Sequence, residues 1–390
     1  MKPPSFPLTL RHVTSDPANV AARFSGVRRI GVIKLKHIGD VLLATPCFRA
    51  LRETFPEAEI HAVVNDESAS VLAHHPLLAA VHVFPRRAMR AGFRARLAGE
   101  RAFLRAIRTA RFDMTVDLTS GDRPAWISRL SGARYRLARD PDGKGFWEKR
   151  RLYTHLAPPC RDPNLHEVLK NLGVLAHAGI STQDPRMEVF PSDEDDATAV
   201  ALLRETGFSG GKAFAVAHPT SRWLWKCWPA ERFAALLAWI RADRGLPVVL
   251  TCGPDPREIA WTERMLACGA GPLLDLRGKL TLLQWAALAK RARLFVGVDS
   301  APMHLAAAQG TPTLCFFGPT GWRNWAPWGV RRVILVRECP CAHDRSPHCD
   351  WSKPRACLEA ISLDDAKAAV AELLKPGNLA SDFSAKGPAS

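Results

Sequence analysis

The stretch Arg28-Arg29-Ile30-Gly31-Val32-Ile33-Lys34-Leu35 constrains the fold more than any other, because its short, nearly unbroken apolar run suits a parallel strand covered on both faces. Similar runs recur at 59–64, 81–84 and 113–118, then at 213–217, 247–251, 273–276, 294–298, 313–317 and 332–336. Helical patterns lie between most of them, among them 45–54, 93–110, 229–243, 256–268, 281–291 and 301–309. Strands alternating with helices imply βαβ units and a parallel sheet. No sequence repeats at a fixed period, so the repetition is of architecture and not of a solenoid unit.

A chain of 390 residues exceeds what one hydrophobic core serves, and the alternation is interrupted once. Two Rossmann-like α/β domains facing each other across a cleft are therefore expected, over 27–180 and 212–362. Residues 181–211, which include Asp193-Glu194-Asp195-Asp196, are expected to be the linker. Residues 1–26 are expected to be a flexible extension, and 363–390 a C-terminal helix with a disordered tail. Lysine and arginine number 54 against 38 acidic residues, a net charge of +16, which favours an anionic partner without choosing one. The longest stretch free of Asp, Glu, Lys and Arg in the second half, 300–322, holds three prolines and three glycines, so it is no spanning helix. The first residues lack the unbroken apolar core of a secretory signal, and ten cysteines are too few for a disulfide scaffold. The chain reads as cytoplasmic, with its cysteines reduced.

Several familiar signatures are missing or misplaced. No GxGxxG follows the opening strand, and Lys212 ends no Walker A loop. Gly207-Phe208-Ser209-Gly210-Gly211 matches GxSxG, but with the helix before it and the strand after it, the reverse of a nucleophile elbow. Gly207 reads better as a helix C-terminal cap. Asp140-Pro141-Asp142-Gly143 reads as a turn before it reads as a metal-binding DxD.

Three loops at strand ends carry more chemistry. The first is Lys36-His37-Ile38-Gly39-Asp40, where Asp40 either caps the next helix or serves a ligand beyond the sheet. The second runs from His218 to Pro229 and offers Thr220, Ser221, Arg222 and Lys226 ahead of a helix start that suits a phosphate. Its tryptophans either stack on a base or sugar or simply pack. The third is Asp299-Ser300-Ala301-Pro302-Met303-His304: Ser300 is a natural N-cap, Pro302 fits the first turn, and the free amides there suit a diphosphate. Asp299 is a cap or a sugar contact, and His304 a donor contact or a hydrogen-bonded core histidine.

Together the segments IGVIKLKHIGDVLLATP, HPTSRWLWKCWP and FVGVDSAPMHLAAAQGTPTLCFFGPT resemble the heptosyltransferases of lipopolysaccharide inner-core assembly, glycosyltransferase family 9, of GT-B fold. The resemblance spans residues 28–361 and is strongest to the heptosyltransferase III branch. Thr220 stands where a glycine is common, and Ala301 where other branches often carry glycine. The resemblance implies transfer of L-glycero-D-manno-heptose from ADP-heptose, with inversion, to the lipid A-linked inner core, as its third, side-branch heptose. It implies Asp40 as general base. Thr220, Ser221 and Lys226 would hold the diphosphate with Arg222 as an extra contact, and Asp299, Ser300, Ala301 and His304 would meet the donor. It implies no cofactor and no catalytic metal. A nucleotide-sugar epimerase on the same scaffold is the alternative enzyme, and a basic nucleic-acid-binding protein the alternative outside enzymes; no recognisable nucleic-acid module supports the latter.

Two features stand apart from these loops. Cys339, Cys341, Cys349 and Cys357 offer four thiolates for a structural zinc, without paired CxxC knuckles. Arg94, Arg96, Arg101, Arg105 and Arg108 give one helix a basic face, either simply solvated or in peripheral contact with the anionic inner-membrane surface. Since lysine, hydroxyl and helix amides stand in for a cation at the diphosphate, sugar transfer is expected to survive EDTA. Activity lost on chelation and restored by magnesium or manganese would contradict this, and restoration by zinc alone would point to the cysteines.

Overall fold

The computed structural model describes residues 17–86, 92–337 and 356–376. They form two compact units, the first running to Pro163 and again over Glu167–Pro185, the second comprising Asn164–His166 and the chain from Arg186.

The first unit holds β1 (Arg29–Lys34), β2 (Glu59–Asn65), β3 (Ala80–Phe84), β4 (Met114–Asp117), β5 (Tyr135–Arg139) and β6 (His155–Ala157). Its helices are α1 (Pro17–Arg23), α2 (Ile38–Leu42), α3 (Pro46–Thr54), α4 (Phe93–Thr109), α5 (Asp122–Leu130) and α6 (Glu167–Ala176). The strands pair in the order β3-β2-β1-β4-β5-β6, all parallel. β5 and β6 escape a sequence reading because they lie toward the sheet's edge, where charged and polar residues interrupt the apolar run. α4 turns Phe103 and Ile107 inward and leaves its arginines 94, 96, 101, 105 and 108 exposed.

The second unit repeats the plan with β7 (Ala215–His218), β8 (Val248–Leu250), β9 (Leu274–Asp275), β10 (Leu294–Val298), β11 (Thr313–Phe316) and β12 (Arg332–Leu335). Its helices are α7 (Asp193–Glu205), α8 (Ala230–Arg244), α9 (Pro256–Ala267), α10 (Leu282–Arg291), α11 (Ala301–Ala308), α12 (Trp322–Trp325), α13 (Ala356–Glu359) and α14 (Leu363–Leu374). The order is β12-β11-β10-β7-β8-β9, again wholly parallel. Numbered within its own unit, each sheet runs 3-2-1-4-5-6, the doubly wound order. The α/β, GT-B-type class read from the sequence stands. Trp228, Phe233 and Phe316 centre the second core, with the Trp228 and Phe316 rings stacked at 4.3 Å.

Three expectations about boundaries need correction. Residues 17–26 are not a loose extension: α1 turns the chain so that Val20 and Phe24, four apart, are both buried. The Phe24 ring meets Tyr135 edge-on at 5.0 Å, a stripe too short to stand out among prolines and polar residues. Residues 1–16 lie outside the described residues. The expected linker is in large part α7, whose acidic run forms a first turn capped by Ser192 and Asp195. That helix packs on α10, with Ala199 and Leu203 buried and Arg291 paired with Asp196. α14 belongs to the second core through Ala366, Val370 and Leu373, while the expected tail from 377 lies outside the described residues. Gly207, at φ 88°, follows α7 as a helix-ending residue, and Asp142 and Gly143 at positive φ form the expected turn. Among the described residues no helix is long and apolar enough to cross a membrane.

Gly297 is the tightest point of the second sheet. A Cβ there would meet the Phe295 ring and the His218 carbonyl, the latter at 2.8 Å. Gly297→Ala is expected to lower the urea midpoint by a cost of about 1–3 kcal/mol. A Gly297→Ala protein as stable as the wild type would show that the Phe295 ring and β7 give way freely.

Candidate functional site

In each doubly wound sheet the chain reverses direction of growth between the first and fourth strands, and the carboxyl ends there are the natural ligand edge. The loops singled out in the sequence lie at these ends. In the second unit they follow β7 and β10, which are neighbours. Lys226 ends a 3₁₀ turn, Leu224–Lys226, and its Nζ lies 2.6 Å from Asp299 Oδ2 just past β10. Both side chains are mostly buried, at 16% and 10% exposure, and Lys226 Nζ also stands 5.5 Å from the Trp225 ring centre.

Thr220 and Ser221 are buried beside this pair. The Thr220 hydroxyl donates to Glu258 Oε2 at 2.7 Å, which also accepts the Gly253 N–H at 3.2 Å. Ser221 Oγ accepts the Trp223 N–H at 3.2 Å. Arg222 is exposed, with its guanidinium 5.8 Å from the ring centre of Trp223, itself 52% exposed. Trp228 is core, donating its Nε1–H to the Ile361 carbonyl at 3.2 Å. His218 is fixed by Thr251, whose hydroxyl donates to the Ala217 carbonyl and accepts the Trp285 indole N–H. Only the Nδ1–H tautomer of His218 satisfies the remaining 3.0 Å contact with Thr251 Oγ1.

At α11, Ser300 sits at the N-cap position, yet its hydroxyl turns back to the Val298 carbonyl at 3.1 Å and makes no side-chain cap. Ala301 is the first helical residue and Pro302 the second, so the first-turn amides have no hydroxyl cap. His304, one turn in, is buried, and its Nδ1 has no hydrogen-bond partner among the described residues. Burial pulls its pKa down to about 4, against the pull of Asp299 and with that of Lys226.

Asp40 lies in the first unit as the third residue of α2, whose N-cap position is His37. Asp40 is therefore not the N-cap residue of this helix. Burial raises its pKa, Lys34 lowers it, Glu167 raises it, and Lys36 and His37 lower it further. A crevice of about 670 Å³ opens at the carboxyl ends of β1 to β4, lined in part by Lys36, His37, Arg86, Arg96 and Arg123 but not by Asp40. Its carboxylate, Asp122, is held by Lys149 at 3.3 Å.

The zinc expectation falls mainly outside the described residues, where Cys339, Cys341 and Cys349 lie; Cys357 is buried in the second hydrophobic core. Sequence reasoning missed Glu258, whose only signal is the Gly253-Pro254-Asp255-Pro256 loop after β8. It also missed Lys34, visible as a lone charge closing an apolar strand, and Glu167 and Asn171, which carry no local signal.

Comparison with known proteins now becomes decisive. The profile of glycosyltransferase family 9 (heptosyltransferase) matches residues 100–353, well over half of the chain. The chain belongs to this family. It is a heptosyltransferase-family glycosyltransferase, which favours neither the epimerase nor the nucleic-acid-binding reading. It is 31% identical over 344 residues to lipopolysaccharide heptosyltransferase 3 of Escherichia coli, covering 86% of this chain and 96% of that protein. The glycosyl transferase family 9 structure from Veillonella parvula DSM 2008 matches with a TM-score of 0.76 at 22% identity, over 89% of this chain and 97% of that one. E. coli heptosyltransferase WaaC with ADP matches at 0.69 and 20% identity, over 88% and 99%.

In this heptosyltransferase, His304 also predicts an acid limit to stability. The unfolded imidazole takes up a proton below pH 6.5, the folded one only near pH 4, so its contribution is complete above pH 6.5 and lost as pH falls toward 4. The total loss from this one group is on the order of 3 kcal/mol. Urea midpoints measured from pH 7 to pH 4 should fall less steeply in His304→Asn than in the wild type; parallel curves would show that His304 is not buried neutral.

Proposed function

We propose that the enzyme transfers L-glycero-D-manno-heptose from ADP-heptose to the lipopolysaccharide inner core, adding the third, side-branch heptose. The observation that carries this reading is the Lys226–Asp299 pair, which joins two of the three sequence segments that carry the family likeness, at the carboxyl ends of β7 and β10. Support for the donor comes from relatives solved with ADP and with ADP-2-deoxy-2-fluoro heptose, and for the acceptor from the E. coli heptosyltransferase 3.

In this mechanism the second unit holds the donor and the first unit the acceptor. Lys226, the hydroxyl of Ser221, and the amides at Ser300 and Ala301 take the diphosphate, with Arg222 at the outer edge, while Thr220, whose one O–H is given to Glu258, fixes the loop that carries them. Asp299 and His304 face the sugar. Asp40 accepts the proton of the acceptor hydroxyl as its oxygen bonds to the anomeric carbon, and the bond from that carbon to ADP breaks on the opposite side. Burial that raises the proton affinity of Asp40 makes it the stronger base. Negative charge grows on the departing ADP, where Lys226 and the helix amides stabilise it. The basic crevice lined by Lys36 and His37, in the loop that leads to Asp40, suits an anionic core oligosaccharide, and the exposed arginines of α4 suit peripheral contact with an anionic membrane surface on its cytoplasmic side.

Mass spectrometry of a heptose-deficient core incubated with ADP-heptose and enzyme tests the reaction, with one added heptose expected; donor isomerised without transfer would refute it. Asp40→Asn should lower turnover by about 10²–10⁴-fold while leaving ADP affinity unchanged by calorimetry. Lys226→Ala should weaken ADP binding as well as slow transfer. Normal turnover of a folded Asp40→Asn enzyme would remove Asp40 from the chemistry.

A further inference from the structure

We infer that Lys34, Glu167 and Asn171 form a buried polar cluster that holds Asp40 in place and sets how readily it takes a proton. All three are positioning residues, and the inference rests on the reading of Asp40 as the base.

Lys34 closes β1 after the apolar run Ile30-Gly31-Val32-Ile33 and is only 2% exposed. Its Nζ donates to the Leu118 carbonyl at 2.9 Å and to Asn171 Oδ1 at 2.9 Å, and faces Glu167 Oε1 at 3.4 Å. Three acceptors thus meet the three N–H bonds of one ammonium. Asn171, equally buried, donates its own amide N–H to the Leu43 carbonyl at 3.0 Å. Leu43 is the C-cap residue of α2, the helix that carries Asp40. One buried cation therefore ties the ends of β1 and β4 to α6, and Asn171 ties α6 to the short helix bearing the carboxylate.

Packing gives no reason for a lysine here. An apolar side chain of similar length fills such a space without the cost of stripping water from an ammonium. The charges do supply a reason. After burial, the charges that act on Asp40 are those of Lys34 from β1, Glu167 from α6, and Lys36 and His37 from its own loop, while Glu167 has Lys170 3.7 Å away. Lys34 favours the carboxylate that must be present before the reaction; Glu167 favours the carboxyl that forms when the proton arrives. When Asp40 becomes neutral, Glu167 remains as the counter-ion of Lys34, so the buried ammonium is paired on both sides of the step.

The test is the pH profile of kcat/KM for the full-length enzyme with ADP-heptose and core acceptor, with Asp40→Asn measured alongside. Glu167→Gln removes a negative neighbour and should move the acidic limb to lower pH; Lys34→Gln should move it to higher pH, each by about half a pH unit or more. ADP affinity should stay at the wild-type value in both. Limbs that stay in place, or move in the same direction, overturn the inference even where kcat falls, since that is the mark of packing alone. A limb abolished by His37→Gln belongs to the imidazole and overturns it as well. Should Lys34→Gln fail to fold, Glu167→Gln decides by itself. An Asp40→Asn enzyme with normal turnover removes the base and the inference with it, whereas an inactive Asp40→Asn enzyme with unmoved limbs removes the inference alone.

Discussion

A parallel strand can be followed by another in the same sheet only through a crossover, so every strand of such a sheet begins at one edge and ends at the other. Both sheets here are wholly parallel and wound in the same order, so each gathers its strand-to-helix loops on one side. The residues with chemistry to offer follow from that. Asp40 comes after β1, Thr220 to Lys226 after β7, and Asp299 to His304 after β10. The apolar interiors of the strands make the scaffold; the residues just past their last hydrogen-bonded positions are the first that are free to be polar.

The polar groups at these ends are not simply exposed. Lys226 is held by Asp299, Thr220 by Glu258, and Lys34 by a carbonyl, an amide oxygen and a carboxylate. Buried charge is costly unless paired, so these contacts fix geometry more than they add stability. In the proposed mechanism this is an advantage. A lysine already desolvated and oriented needs little reorganisation when charge develops on a departing diphosphate. The uncapped first turn of α11 has the same character: Ser300 spends its hydroxyl on the preceding strand and leaves the amides available.

Asp40 shows how far a sequence carries such reasoning. From residues alone, a carboxylate just before a helix reads as a cap or as a functional group. The structure makes His37, not Asp40, the N-cap residue, and sets Asp40 under the charges of two lysines, a histidine and a glutamate. Of these, Lys36 and His37 are visible in the same loop. Glu167 is more than a hundred residues away and comes beside Asp40 only because α6 packs back onto the first sheet.

The sequence by itself determined the two parallel sheets and the three loops, because apolar runs, helical periodicity and strand-end polar residues are local patterns. It also determined the family, since those loops are matched as contiguous segments. The tertiary structure decided what is not local. It put Val20 and Phe24 into a core, made the supposed linker a helix of the second unit, and placed β5 and β6 toward the first sheet's edge. It also paired Lys226 with Asp299 and Thr220 with Glu258, and enclosed Lys34 between β4 and α6. Such pairings depend on which crossovers bring distant strand ends within a few ångströms, and a linear pattern of residue types does not encode that distance.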